Sequence, residues 1–244
     1  MRIRIGLPSK PTQISHQQGT ALYYAALCGF SGLVSYLITT HAEDVNANCG
    51  LCGTPLHAAT YMGHLDAAHV LIHYVAELNA RNNLGRTPLS LACDSGNLEV
   101  MRMLLESGAD GDATNDANQT PLHAASTNGH LEATQMLLDH GASVYARDNA
   151  NQTPLYVASA NGHLKVVMLL LERGADANTQ TTSHSTPLHG ASESGHLEVV
   201  KMLLIHGADV HTRDGRGWTP LEVAKRNGHE EVAKLLSEHG VEED

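Results

Sequence analysis

Cysteine is scarce in this chain: Cys28, Cys49, Cys52 and Cys93 are the only four in 244 residues. They do not share one place in the sequence pattern, which makes a poor disulfide framework and points to a reduced, intracellular protein, cytoplasmic or nuclear. No apolar run approaches the roughly 18 residues needed to cross a membrane, so no membrane insertion is expected. The opening MRIRIGLPSKPTQ carries charge without a continuous apolar region and does not read as a secretory signal. Positive charge is also in short supply. Against 26 acidic residues stand 15 lysines and arginines, a formal net charge of −11, with no basic stripe. This argues against nucleic-acid binding through phosphate neutralisation, and its field would steer in a partner with a basic surface. Signatures of catalysis are missing as well. There is no G-x-S-x-G elbow, no phosphate-cradling glycine loop and no catalytic cysteine motif, so no enzyme and no cofactor are expected.

What the chain has instead is a period. Thr-Pro-Leu begins at Thr54, Thr87, Thr120, Thr153, Thr186 and Thr219, always 33 residues apart, and a looser Thr-Ala-Leu-Tyr begins at Thr20. A fixed period of this length marks a stacked array in which each unit buries its apolar face against its neighbours. The letters have local meanings. In Thr186-Pro187-Leu188-His189 the threonine is an N-cap and proline occupies the first helical position, where its missing N–H costs nothing. A first helix of about eight residues ends at Gly195-His196. A second, Leu197 to His206, carries Leu197, Val200, Leu203 and Leu204 as its buried stripe. Gly207 suits a left-handed helix end. Ala208 to Gly217 then form a projecting turn.

The T-P-L-H, A-A, G-H-L-E-V-V and L-L-x-x-G-A-D lettering resembles the ankyrin repeat, from Gly19 to about Gly240. The resemblance implies an all-α solenoid of helix-turn-helix units with β-turn fingers, and a role in binding protein partners. The units run over about 19–52, 53–85, 86–118, 119–151, 152–184, 185–217 and 218–240, preceded by a basic leader over 1–18. Unit one reads as an N-terminal cap. Unit seven, with Glu222, Lys225, Arg226, Glu230, Glu231 and Lys234, reads as a solvent-facing C-terminal cap. Val75 stands in the column held elsewhere by Gly108, Gly141, Gly174 and Gly207. A β-branched side chain resists positive φ, so that helix is expected to end differently.

Of the 17 histidines, eleven belong to the repeat lettering and read as structural. Cys49-x-x-Cys52 has the spacing of half a zinc site, but no second pair exists. His69 and His73 form an exposed i, i+4 pair that lacks further ligands. No metal site is expected.

Information about a partner lies in the columns that vary. By the resemblance, ankyrin-like arrays bind protein on the concave face through their turns and the inner-helix positions just before Gly-His. Those positions are Leu27-Cys28, Tyr61-Met62, Asp94-Ser95, Thr127-Asn128, Ala160-Asn161, Glu193-Ser194 and Arg226-Asn227. The first two pairs are apolar or soft, and Leu51 and Leu84 on the turns extend the same end. The expected partner-binding set is therefore Leu27, Cys28, Leu51, Tyr61, Met62, Leu84 and Asp94, with Trp218 as a separate aromatic candidate. A monomeric, non-enzymatic scaffold is the leading reading. A regulatory array from a larger receptor, channel or signalling ATPase, or a designed scaffold without a ligand, are the alternatives.

Overall fold

A computed structural model describes residues 19–49 and 53–240. The described residues form helix pairs in chain order: α1 Ala21–Leu27 with α2 Ser31–His41, α3 Pro55–Met62 with α4 Leu65–His73, and α5 Pro88–Ser95 with α6 Leu98–Glu106. The series continues with α7 Pro121–Thr127 and α8 Leu131–Asp139, then α9 Pro154–Ala160 and α10 Leu164–Glu172. It ends with α11 Pro187–Ser194 and α12 Leu197–Ile205, then α13 Pro220–Arg226 and α14 Glu230–His239. No strand occurs among the described residues. Odd-numbered helices pack on one another in succession to make an inner layer, and even-numbered helices make an outer one.

The leucine of each Thr-Pro-Leu, from Leu56 to Leu188, is fully buried, as are Leu71, Leu104, Leu137, Leu170 and Leu203 on the outer helices. Burying such side chains contributes roughly 1.5–3 kcal/mol each, and this apolar column holds the stack together. Within α12 the stripe is narrower than the spacing suggested. Val199, Val200 and Leu203 are buried, whereas Leu197 and Leu204 are half-exposed. Val199 belongs to a column (Ala67, Val100, Ala133, Val166, Val232) that is buried in every unit from the second onward.

The histidine of the first helix completes its cap. His57 Nδ1 accepts the Thr54 backbone N–H at 3.0 Å, and the Thr54 hydroxyl contacts the same nitrogen at 2.9 Å. Nε2 therefore carries the proton and donates it to the Arg86 carbonyl of the next unit, 2.9 Å away. His123 and His189 repeat this arrangement toward Gln152 and Trp218. The histidine after Gly reaches the other way. Nε2 of His64, His130, His163 and His229 donates to a carbonyl of the preceding unit, at Leu27, Asp94, Thr127 and Glu193. Between them the two families of histidine bridge every junction between units except that of units five and six.

The projecting turns add a third seam. Asp116, Asn149, Thr182 and Gly215 each donate a backbone N–H to the carbonyl of Leu84, Ala117, Ala150 and Ser183 respectively, one rung per pair of turns. At the turn bases, Asn46, Asn79, Asp112 and Asn178 share one column. Each accepts the backbone N–H of the following unit (Glu77, Asp110, Ser143 and Asp209) through its side-chain oxygen.

One expectation needs correction. Val75 adopts φ 64°, the left-handed conformation it was expected to avoid. Its N–H bonds to Ile72 and that of Ala76 to Leu71, the pattern Gly108 and Ala109 make with Leu105 and Leu104. The stack dictates the helix end, and the side chain escapes by pointing into solvent with 81% of its surface exposed. Unit one leaves apolar side chains exposed. Tyr24 and Leu33 are exposed here, whereas the later residues of their columns are buried, Ala124 alone being half-buried. In unit seven Glu222, Lys225, Arg226, Glu230, Glu231 and Lys234 are all exposed.

Candidate protein-binding surface

The residues that precede each Gly-His turn lie at the C-terminal ends of the inner helices, and the turn tips project beside them. Along the described units one inner-helix column reads Tyr61, Asp94, Thr127, Ala160, Glu193, Arg226, and the turn-tip column reads Leu84, Ala117, Ala150, Ser183, Arg216. Both pass from large apolar residues through small or polar ones to arginine.

At the apolar end Tyr61 is 59% exposed, Met62 50% and Leu84 53%. Nothing in the stacking requires these side chains, since smaller or polar residues fill the same columns in other units. Leu27 differs from them: it is half-buried and packs against the core. Cys28 is exposed with a free thiol. Leu51 and Cys52 lie outside the described residues, while Cys49 is buried.

Leu84 and Asp94 come together in a groove of about 420 Å³ between turn and inner helix, with Arg86, Asp116, His123 and Thr127 in its walls. Asp94 is held by Arg86 at 2.7 Å and by the Asn128 amide at 3.0 Å. Burial lowers the pKa of His123 from its ordinary value, against the opposing pull of the Gln152 carbonyl it bonds. The groove therefore has a closed ion pair and an apolar lip in its walls, with a buried neutral imidazole behind them, and it offers no activated nucleophile. The fully buried thiol of Cys93, the residue before Asp94, is pushed well up in pKa by burial and by Asp94. That makes it unreactive.

Trp218 sits at the other end of the array. The guanidinium carbons of Arg216 and Arg226 lie over its ring at 4.4 and 4.3 Å from the centroid, so it is half-buried.

A wider groove of about 670 Å³ crosses the outer helices between Leu98, Leu131, Met136 and Met168, rimmed by charges of both signs such as Arg102 and Asp139. The sequence reading missed it, because its floor consists of partly exposed outer-helix residues that each look like ordinary stripe positions. The reading also missed Tyr24, Phe30, Leu33 and Tyr36, all exposed in unit one. Comparing unit one with the buried columns of its sister units would have found Tyr24 and Leu33. Among the described residues no group of three or more histidine, cysteine or acidic side chains is arranged to hold a metal ion. No helix there is long and apolar enough to cross a membrane.

Paired helices stacked at a fixed period, with variable residues gathered at inner-helix ends and turn tips, define a repeat-built interaction scaffold. The chain belongs to the ankyrin-repeat family. A family model described as ankyrin repeats (3 copies) matches it over residues 7–82, 71–148, 110–181, 144–214 and 180–244. A search of curated proteins found no match to the chain. Ankyrin repeats are generally protein-interaction modules, and the family is typically non-enzymatic.

Proposed function

We propose that this chain is a non-enzymatic, intracellular scaffold that binds a protein partner on the inner-helix ends and turn tips of its first three units. The observation that carries this reading is the exposure of Tyr61, Met62 and Leu84 on columns where packing makes no demand for apolar side chains. Exposed apolar patches of this kind mark contact sites. Tyrosine brings a large ring with a polar tip, and methionine adapts to irregular surfaces. Leu51, Cys28 and Leu27 flank this cluster in sequence and complete the contact set, with Asp94 at its polar edge. The rigid stack presents the cluster preformed, so little ordering entropy opposes binding. The chain acts as a monomer and needs no cofactor.

Affinity capture followed by mass spectrometry tests the reading. Wild-type protein and a Tyr61→Ala, Met62→Ala variant serve as baits under identical conditions. Proteins retained by the wild type and lost by the variant are expected. An unchanged capture profile would place the contact elsewhere on the array.

A further inference from the structure

We propose that the C-terminal end of the same face, Arg226 with the Arg216–Trp218 pair beside it, is a subsite for a short acidic peptide segment of the partner. This rests on the protein-binding reading above and is independent of the apolar end.

The argument begins from a comparison between units. Arg86 and Asp94 occupy in unit three the two columns that Trp218 and Arg226 occupy in unit seven. In unit three the pair closes on itself as a 2.7 Å ion pair. In unit seven the acid is replaced by an arginine and its partner by a tryptophan, so the contact survives as stacking, with no carboxylate among the described residues to compensate the charge. Arg226 has no carboxylate within ion-pair reach among the described residues, and neither has Lys225 next to it.

The neighbouring charges are otherwise accounted for. Arg213 pairs with Glu222 at 3.2 Å and donates to the Gly217 carbonyl. Arg216 pairs with the buried Asp214 at 2.8 Å. Glu193, one step along the Arg226 column, is exposed and makes no ion pair with it. Among the described residues Arg226 thus carries an unpaired positive charge in a chain whose net charge is −11.

Stacking makes Arg226 a prepared anion receptor. The indole covers the flat face of the guanidinium and restrains its long side chain, while the edge N–H donors remain free for a carboxylate. A planar fork of donors suits a carboxylate in two-point contact. The strongly acidic remainder of the surface repels long polyanions, so a segment with one or a few carboxylates fits better than a nucleic acid.

Trp218 is the only tryptophan in the chain, so its emission reports on the site directly. The full-length protein is titrated in about 50 mM salt, where exposed charges are only partly screened. The probes are end-blocked hexaglutamate, hexaglutamine, hexalysine and the oligonucleotide (dT)6, with calorimetry giving affinities that do not depend on emission yield. Hexaglutamate should bind saturably and change Trp218 emission, and hexaglutamine and (dT)6 should not bind. Hexalysine, drawn to the acidic remainder of the surface, should leave Trp218 emission unchanged. Arg226→Met should weaken hexaglutamate about tenfold, the loss expected for a charge-assisted contact, with unchanged thermal unfolding, and Arg226→Lys should restore part of the affinity. Tyr61→Ala with Met62→Ala should leave hexaglutamate binding at the wild-type level whatever it does to partner capture. Absence of saturable binding, equal affinity in Arg226→Met, or (dT)6 binding as tightly as hexaglutamate would each overturn the proposal. None of these would touch the apolar-end reading.

Discussion

His163 in unit five donates its Nε2 proton to the carbonyl of Thr127 in unit four, 2.8 Å away. To reach it the imidazole lies across Gly129, which adopts φ +71° and has no room for a methyl group beneath the ring. The Gly-His dipeptide of the lettering is therefore a joint between units.

Replacing Gly129 by alanine should cost about 1–3 kcal/mol from the left-handed backbone alone, with further loss as His163 is displaced. The double variant Gly129→Ala, His163→Ala should cost less than the two single losses added together, because the clash disappears with the ring. Urea unfolding of the four proteins measures the coupling, and strict additivity would show that the joint is not a unit.

Val75 supplies a test of opposite sign. Its φ of 64° is strained for a β-branched residue, and its side chain is too exposed to repay that by burial. Val75→Gly should raise stability by about 1 kcal/mol, the strain relieved less the extra chain entropy that glycine loses on folding. A lower unfolding midpoint in denaturant would show that the site holds no strain.

Tyr145 interrupts the column in which Asn46, Asn79, Asp112 and Asn178 each tie down the next unit. Tyr145→Asn should restore the missing tie to the N–H of Asp176 and stabilise the array by about 0.5–1.5 kcal/mol, the net worth of one hydrogen bond. Hydrogen exchange at Asp176 reads this locally. Exchange no slower than in the wild type would mean that the rung had not formed.

Acid should loosen the stack. Burial lowers the pKa of His57, His123 and His189 against the opposing pull of the carbonyls they bond. Each is neutral in the folded state and accepts a backbone N–H at Nδ1, a role that protonation removes. An unfolded histidine titrates near 6.5, so below about that pH the unfolded chain binds more protons. The stability these residues contribute is complete above about pH 6.5 and is lost as pH falls toward their depressed values. Replacing all three by glutamine should flatten this dependence between about pH 6.5 and 5. Thermal unfolding across that range checks it, and an unaltered slope would assign the acid sensitivity to other groups.

The helices, their caps and the stacking order were legible in the letters because each has a local cause. Thr54 caps, Pro55 starts and Leu56 packs wherever the triplet falls. The left-handed turn at Val75 was not legible, since the neighbouring units impose it against the residue's own preference. The bond that histidines such as His57 and His64 make to a neighbouring unit was hidden for a similar reason: its acceptor lies 29 to 37 residues away along the chain. For the candidate surface, the exposure of Tyr61, Met62 and Leu84 could be read from their columns. The half-burial of Leu27, and the arginines flanking Trp218, depend on packing that no single column reveals.

The most direct test of the binding surface is the dissociation constant of a captured partner, measured by calorimetry on wild type and two paired variants whose melting temperatures are recorded alongside. Truncating central apolar anchors costs about 2 kcal/mol or more each. Tyr61→Ala with Met62→Ala should therefore weaken binding by well over tenfold at an unchanged melting temperature, while Asn161→Ala with Ser194→Ala leaves it intact. If the second pair abolishes binding and the first does not, the partner sits on the C-terminal half and the account of the apolar end is contradicted.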